Sequence, residues 1–164
     1  MGSSVLLVAG IPATGKSSFC RYLTREHGFT HYDLECWPTG WPAPELRDVW
    51  NSSRPHFMSE LRGRHLATAL DWGFPPHRLN WVSELQGLGV QLVWFSGDPA
   101  KARRLFDLRG GRPVSLFDHQ MAEITNAGFP AGLNARVVNT LTRSGRLRTM
   151  KAVYADVFGK AASH

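Results

Sequence analysis

Apolar and polar positions along this chain follow two alternating periods, which predicts strands interleaved with helices. Residues 5–9 form a continuous apolar run of strand length that ends at a glycine, as expected for a strand buried on both faces of a parallel sheet. Residues 16–27 then carry apolar side chains at helical spacing and stop at Gly28, a usual helix terminator. A short second strand is predicted at residues 29–33.

The rest of the chain continues this alternation. Further strands are predicted at residues 66–71, 90–95 and 137–141, and further helices at residues 56–64, 76–88, 98–109, 114–127 and 147–158. Strands that alternate with helices in this way favour a three-layer α/β/α fold with a parallel sheet. No internal repeat, low-complexity tract or linker divides the chain, so we expect one domain over residues 1–164.

Residues 34–55 interrupt the pattern. They are rich in Trp and Pro and show no strand period, which predicts a connection or cap and not an element of the core. Trp37, Trp41 and Trp50 leave two interpretations open. They form a stacking platform for a nucleobase or sugar, or they fill a cap that has few aliphatic residues. We favour the filling, because aromatic side chains are chiefly packing residues.

Composition narrows the class of protein. A chain of 164 residues with 43% apolar and 20% charged residues is long enough to bury a core without a metal or disulfide. It has two cysteines, Cys20 and Cys36, and no apolar run near the ~20 residues of a membrane span. We therefore expect a cytoplasmic protein with no membrane partner. The seven histidines show no zinc-ligand spacing, so no structural metal is expected.

The net charge of +6 rests mainly on arginine, which supplies 15 of the 19 basic residues. The planar guanidinium matches phosphate bidentately, so this bias is compatible with an anionic substrate. A solvated basic surface would give the same balance, and charge alone does not decide between the two.

A phosphate-binding motif follows the first predicted strand. Residues 10–17 read Gly-Ile-Pro-Ala-Thr-Gly-Lys-Ser and match G-x-x-x-x-G-K-[ST] at every fixed position. In this motif the backbone N–H groups cradle phosphates, Lys16 reaches the β- and γ-phosphates, and Ser17 ligates Mg²⁺. The strand before it and the helix after it are the expected context. The residues predicted to bind ATP here are Gly10, Ala13, Thr14, Gly15, Lys16, Ser17 and Ser18.

Two predicted strands end in a carboxylate. Asp71 closes the third strand, where a nucleotide-binding protein of this kind needs an acid to hold Mg²⁺ directly or through water. Asp33 closes the second strand and is placed to accept the proton of an attacking hydroxyl, with Glu35 as an alternative. Each of these residues is also a common type in turns and caps, which is the competing interpretation.

A basic segment at about residues 100–114 is a candidate lid. It contains Lys101, Arg103, Arg104, Arg109 and Arg112, with Gly110 and Gly111 as a hinge. Mobile positive groups that close over a nucleotide stabilise charge on a transferred phosphoryl group. The same residues would also suit an exposed helix face.

With these residues in place, the sequence resembles the small P-loop kinases related to polynucleotide kinase, zeta toxin and chloramphenicol phosphotransferase. The resemblance covers most of the chain and rests on the P-loop, on Asp33, on Leu-Asp-Trp-Gly-Phe at 70–74, and on Asp98-Pro99 followed by arginines. It implies a P-loop NTPase fold with a five-stranded parallel sheet in the order 2-3-1-4-5 and the use of ATP with Mg²⁺.

The resemblance also implies roles for individual residues. Asp33 is expected to be the catalytic base and Asp71 to lie on the magnesium side. Arg104 and Arg109 are expected to contact phosphate from the lid, and residues 142–145 to lie in a loop against adenine.

The function we expect is therefore transfer of the γ-phosphate of ATP to a hydroxyl of a small molecule or of a nucleic-acid 5′ end. The alternative is an ATP-binding NTPase or regulatory protein without a phosphate acceptor. A guanine-dependent switch is not expected, because no Asn is followed by Lys and the base-reading N-K-x-D is absent.

Overall fold

The computed structural model describes residues 2–36 and 38–159 and contains a five-stranded sheet. The strands are β1 (Ser4–Gly10), β2 (Thr30–Asp33), β3 (Ala67–Asp71), β4 (Gln91–Ser96) and β5 (Arg136–Asn139). They pair in parallel in the order β2-β3-β1-β4-β5. The predicted strand order is confirmed.

Helices cover both faces of the sheet. They are α1 (Lys16–His27), α2 (Leu46–Ser52), α3 (Arg54–Arg64), α4 (Leu79–Gly87), α5 (Pro99–Arg109), α6 (Val114–Ala127) and α7 (Met150–Phe158), with 3₁₀ turns at Pro38–Gly40 and Pro76–Arg78. Alternate residues of β1 separate two apolar clusters, since Leu6 and Val8 pack with α1 and α7 while Leu7 packs with the other helices. The three-layer α/β/α architecture is thereby confirmed.

Some predicted boundaries shift near the end of the chain. Leu141 lies beyond β5 and forms an isolated antiparallel bridge with Leu147. Helix α7 then begins only at Met150, because the side chain of Thr149 accepts the N–H of Ala152 and caps the helix there. The apolar residues at 141 and 147 belong to this bridge and not to the flanking strand and helix.

The Trp- and Pro-rich segment 34–55 contributes Leu34, Trp41, Ala43, Leu46 and Trp50 to the core, so the expectation that it is not an element of the core is wrong. Its residues 46–52 form α2, which was not predicted because seven residues are too few to show a helical period. Leu46 and Trp50 lie one turn apart on α2 and both are buried, as is Trp41. The interpretation of Trp41 and Trp50 as packing residues is confirmed, and Trp37 lies outside the described residues.

Trp50 is central to this packing, and its truncation should be costly. Its ring lies edge-on to Phe57, Trp72 and Trp81, with centroids 5.1, 5.3 and 5.2 Å away. We expect Trp50→Ala to lower the free energy of unfolding by about 3–5 kcal/mol in urea denaturation. Leu66→Ala is the control, because Leu66 is 90% exposed and its truncation should change stability by no more than about 0.5 kcal/mol. Equal losses in the two variants would contradict this assignment.

Within the part of the chain that the structure describes, none of the helices combines the length and the apolar character needed to cross a bilayer.

Candidate active site

The phosphate-binding motif begins where β1 meets β4. A Cβ atom added at Gly10 would lie 2.1 Å from the carbonyl oxygen of Phe95, and the φ of Gly10 is 135°. The N–H of Ile11 donates to the same carbonyl at 3.1 Å. Only glycine fits this close approach, which explains why the chain leaves the sheet at this residue.

The loop that follows has the backbone of an anion-binding turn. Ala13 and Gly15 adopt left-handed conformations with φ of 61° and 84°. Alternation of left- and right-handed residues creates a concavity of backbone N–H groups. Gly15 is the N-cap of α1 and has no side chain to cap it, so the first N–H groups of α1 are left for a ligand.

Two buried threonines hold this loop in shape. The Thr14 hydroxyl donates to the carbonyl of Ile11 at 2.7 Å, and the Thr140 hydroxyl donates to the carbonyl of Thr14 at 2.7 Å. Thr14 therefore supports the loop from behind, while the residues on either side of it face the cavity described below. Thr140 follows β5 and was not found by sequence reasoning, because a single threonine after a strand carries no motif.

Lys16 lies across the mouth of the loop. Its Nζ donates to the carbonyls of Gly10 and Ile11 at 3.3 and 3.0 Å. Desolvation lowers the pKa of Lys16 from its ordinary value, while the carboxylates of Glu35 and Asp71 oppose this change. A phosphate anion would restore favourable contacts for this ammonium group.

The two strand-end acids meet at the same edge of the sheet. Asp33 lies opposite Asp71 in the β2–β3 register, and Asp71 lies opposite Val8 of β1. The Oδ1 of Asp33 accepts the backbone N–H groups of Glu35 and Cys36 at 2.9 and 3.3 Å, which fixes its carboxylate at the end of β2.

Glu35 belongs to the same group of charges. Its Oε1 lies against Gly73, where an added Cβ would be 2.9 Å away. Desolvation raises the pKa of Glu35 above its ordinary value, Lys16 opposes this, and the carboxylates of Asp71 and Asp33 raise it further. The backbone N–H of Gly73 stabilises the charged form and lowers the pKa.

The raised pKa of Glu35 gives a testable dependence of stability on pH. The folded protein retains a proton on Glu35 that the unfolded chain has released. Its contribution to the free energy of unfolding therefore falls as the pH rises from the ordinary value of 4.5 towards the raised native value. We expect Glu35→Gln to become progressively more stable than the wild type over this window, measured by urea denaturation at several pH values.

Glu45→Gln is the matched control, because the stability contribution of Glu45 changes with pH in the opposite direction. The backbone N–H of Glu45 and the guanidinium of Arg64 lower the pKa of Glu45, so its contribution to stability is lost as the pH falls. If the difference between Glu35→Gln and the wild type did not change with pH, the assigned environment of Glu35 would be wrong.

One cavity of about 760 Å³ brings the predicted groups together. The predicted residues that line it are Gly10, Ala13, Gly15, Lys16, Ser17 and Ser18 of the loop and α1, the acids Asp33, Glu35 and Asp71, and the lid residues Arg109, Gly110, Gly111 and Arg112. The structure therefore places the motif of residues 10–17, the strand-end acids and part of the candidate lid around a single volume.

Arg104 does not reach this cavity. It is exposed on α5 and lies five residues before Arg109, which is about 140° around the helix at 3.6 residues per turn. Arg103 forms an ion pair with Asp118 of α6, with Nε and Oδ1 2.8 Å apart. The lid arginines that face the cavity are Arg109, at the end of α5, and Arg112, after the glycine turn. Only Arg109 belongs to the pair expected from the resemblance.

Residues 142–145 form a turn beside the first turn of α5. The N–H of Gly145 donates to the carbonyl of Thr142 at 3.0 Å, and a Cβ at Gly145 would lie 3.3 Å from Cγ of Lys101. This turn is not part of the cavity lining. Its expected contact with adenine stays a prediction.

Helix α6 supplies cavity residues that the sequence reasoning missed. Leu116, Gln120, Glu123 and Ile124 line the cavity, together with the aromatic residues Phe74, Trp94 and Phe106 and with Arg21 of α1. The α6 residues are spaced i, i+4, i+7 and i+8, which places them on one helix face. Considering polar residues along with apolar ones at this spacing would have found them.

The donor atoms at the cavity fit Mg²⁺. Ser17 and Asp71 both line it, and their hydroxyl and carboxylate oxygens are the hard donors that Mg²⁺ prefers. Asp71 is 1% exposed, and its Oδ2 has no hydrogen-bond partner among the described residues.

Comparison with known proteins supports the fold. No protein-family model matches this sequence, and no curated protein sequence matches it. Three solved structures are similar to this chain over most of their length. One is a gluconokinase from Sinorhizobium meliloti 1021, with a TM-score of 0.60 and 13% sequence identity over 93% of this chain and 88% of that one. Another is a shikimate kinase from Bacteroides thetaiotaomicron, with a TM-score of 0.57 and 15% identity over 94% of each chain. The third is a sugar kinase from Janibacter sp. HTCC2649, with a TM-score of 0.61 and 15% identity over 99% of each chain. At these identities the likeness establishes a shared fold, three layers built on a five-stranded parallel sheet, and nothing further about this chain.

Proposed function

We propose that this protein is a kinase that transfers the γ-phosphoryl group of ATP, bound with Mg²⁺, to a hydroxyl group of a small molecule. The observation that carries the proposal is the single cavity in which the phosphate-binding loop, Asp33 and two lid arginines meet. None of these groups alone specifies transfer, but phosphoryl transfer needs all three: a triphosphate site, a base for the acceptor and positive charge over the reacting oxygens.

The loop residues bind and orient the nucleotide. Backbone N–H groups of the loop and of the first turn of α1 hold the phosphates, and Lys16 exchanges the carbonyls of Gly10 and Ile11 for the β- and γ-phosphates. Ser17 and Asp71 hold Mg²⁺, directly or through water. When bound, the ion neutralises charge on the β- and γ-phosphate oxygens.

Asp33 acts on the acceptor. The acceptor oxygen attacks the γ-phosphorus, the bond from this phosphorus to the bridging oxygen of ADP breaks, and the hydroxyl proton passes to the Asp33 carboxylate. Asp33 suits this role because two N–H bonds to its Oδ1 fix the carboxylate at the end of β2. Glu35 suits it less well, since its carboxylate lies against Gly73 and interacts with Lys16.

The volume of the cavity is compatible with a small acceptor. Its volume of about 760 Å³ lies within the range of roughly 300 to 1,000 Å³ typical of small-molecule sites. The lining of the cavity also includes apolar and aromatic side chains, with Gln120 and Glu123 as polar groups that would orient a polyol. The neighbouring folds include kinases named for gluconate, shikimate and sugar, so hydroxy acids and sugars are the first acceptors to test.

The test is transfer of labelled γ-phosphate to a panel of acceptors. Sugars, hydroxy acids, amino alcohols and nucleosides are compared with a 5′-hydroxyl oligonucleotide, with Lys16→Ala as the inactive control. Labelled product from a small alcohol, lost when EDTA removes Mg²⁺, supports the proposal. Product from the oligonucleotide alone would contradict a small acceptor. ATP hydrolysis that no acceptor stimulates would favour the NTPase or regulatory alternative.

A further inference from the structure

Three side chains with metal-binding atoms meet on the face of the sheet that α1 covers. They are Cys20 of α1, His31 of β2 and Asp71 of β3. Their thiol sulfur, imidazole nitrogen and carboxylate oxygen all lie within 4.8 Å of one another. His31 Nε2 and Asp71 Oδ2 are 3.4 Å apart.

Two of these ligand atoms are buried and unsatisfied. His31 Nε2 and Asp71 Oδ2 are within ion-pair distance of each other at 3.4 Å, but neither atom makes a hydrogen bond in the described part of the chain. Cys20 is fully buried beside them. Native proteins leave few buried polar atoms without a partner, so the paired absence at one point indicates a missing group. The thiol sulfur of Cys20 lies within 4.8 Å of both atoms, and a thiol is a weak hydrogen-bonding group, so the three atoms together fit a cation better than a bridging water.

The donor set selects the kind of cation. Sulfur, nitrogen and one oxygen are the ligands of Zn²⁺ and similar borderline-soft ions, whereas Mg²⁺ takes oxygen donors. Three protein ligands leave one tetrahedral position for water. A local spacing motif is absent because the three ligands come from three separate elements, which is why the sequence predicted no metal of this type.

The cluster also has an approach that does not pass through the large cavity. His31 lines a second, more superficial cavity of about 340 Å³ beside Arg21 and Thr24 of α1. Its side chain is 18% exposed, whereas the side chain of Asp71 is 2% exposed. His31 therefore lies between solvent and the buried pair, as an entry ligand would.

We propose that Cys20, His31 and Asp71 form a binding site for a borderline-soft divalent cation such as Zn²⁺. On binding, the Cys20 thiol forms a sulfur–metal bond and releases its proton to solvent. Asp71 also lines the large cavity, so a cation held here takes up the carboxylate that the proposed kinase needs for Mg²⁺. The binding itself requires neither ATP nor phosphoryl transfer.

Co²⁺ is the probe, because a cobalt–thiolate bond gives a near-ultraviolet charge-transfer band that reports the sulfur ligand directly. The full chain is titrated without nucleotide. We expect this band in the wild type and in Cys36→Ala, which removes the other cysteine, and its loss in Cys20→Ala. His31→Gln should weaken Co²⁺ binding about 10- to 100-fold or more, since loss of an outer-shell partner alone has that effect. Added Zn²⁺ should displace Co²⁺ and remove the band.

The following outcomes would contradict the proposed cation site. A thiolate band that persists in Cys20→Ala, that is lost in Cys36→Ala, or that never forms in the wild type would exclude Cys20 as a ligand. Wild-type affinity in His31→Gln would exclude His31. Circular dichroism verifies that Cys20→Ala is folded. His31→Gln is the second variant, because His31 is partly exposed and its substitution disturbs the core less than that of the buried Cys20. Because the titration contains no ATP, failure here leaves the proposed kinase activity unaffected, and an inactive protein would leave this site standing.

Discussion

Asp33→Asn is expected to slow phosphoryl transfer about 10²- to 10⁴-fold while ATP affinity stays close to that of the wild type. The amide cannot take the acceptor proton, but its oxygen can still accept the N–H groups of Glu35 and Cys36, so the end of β2 keeps its shape. Single-turnover transfer measures the chemical step, and titration with a non-hydrolysable ATP analogue measures binding.

Asp107→Asn is the matched control for this prediction. Asp107 is exposed on α5 and does not line the cavity, so the same change of charge there should leave transfer near the wild-type rate. Glu35→Gln separates the two acids near β2. A loss in Glu35→Gln as large as that expected for Asp33→Asn, together with a nearly active Asp33→Asn, would assign the base to Glu35.

The parts of the site that could be predicted are those fixed by the sheet. A strand buried on both faces must be continuously apolar, so β1 was visible in the sequence, and the glycine that ends it marks the phosphate-binding loop. Parallel strands end at a common edge, which is why Asp33 and Asp71 could be expected to meet before any coordinates were known. Their observed register across β2 and β3 follows from that geometry.

The segment after β2 could be predicted only in part: packing by Trp41 and Trp50 was expected, but their place in the core was not, because it depends on aromatic contacts between residues distant in sequence. Trp41 shows what this segment does for the site. Its ring N–H donates to the carbonyl of Asp33 at 2.7 Å, and Arg47 donates to the carbonyl of Leu34 at 3.1 Å while its guanidinium lies 5.3 Å from the Trp41 ring centroid. The Trp- and Pro-rich segment thus positions the end of β2, and no periodicity in its sequence predicts this role.

The directions in which the arginines of α5 point could not be predicted from the sequence. Sequence places Arg103, Arg104 and Arg109 in one basic segment, but a helix distributes them around its axis, so membership in the segment does not mean a common direction. Only the structure separates the arginine paired with Asp118 from the one that faces the cavity.

Arg112→Ala is expected to lower transfer about 10²- to 10³-fold, the usual cost of removing one group that stabilises charge in the transition state. Arg112 lies between α5 and α6, outside both helices, whereas Arg109 ends α5 with its guanidinium 5.2 Å from the Phe106 ring centroid. The expected loss lies in the rate of single-turnover transfer and not in affinity for the ATP analogue.

Arg104→Ala is the decisive comparison, because it removes the same charge from an exposed position on α5 that does not line the cavity. We expect it to retain most of the transfer rate. Should Arg104→Ala lose as much activity as Arg112→Ala, Arg104, one of the two arginines that the family resemblance implies, would be functional, and α5 would have to rotate or unwind when the nucleotide binds. High salt distinguishes a diffuse charge effect from a direct contact, since it screens an exposed charge far more than an arginine bound to phosphate inside the cavity.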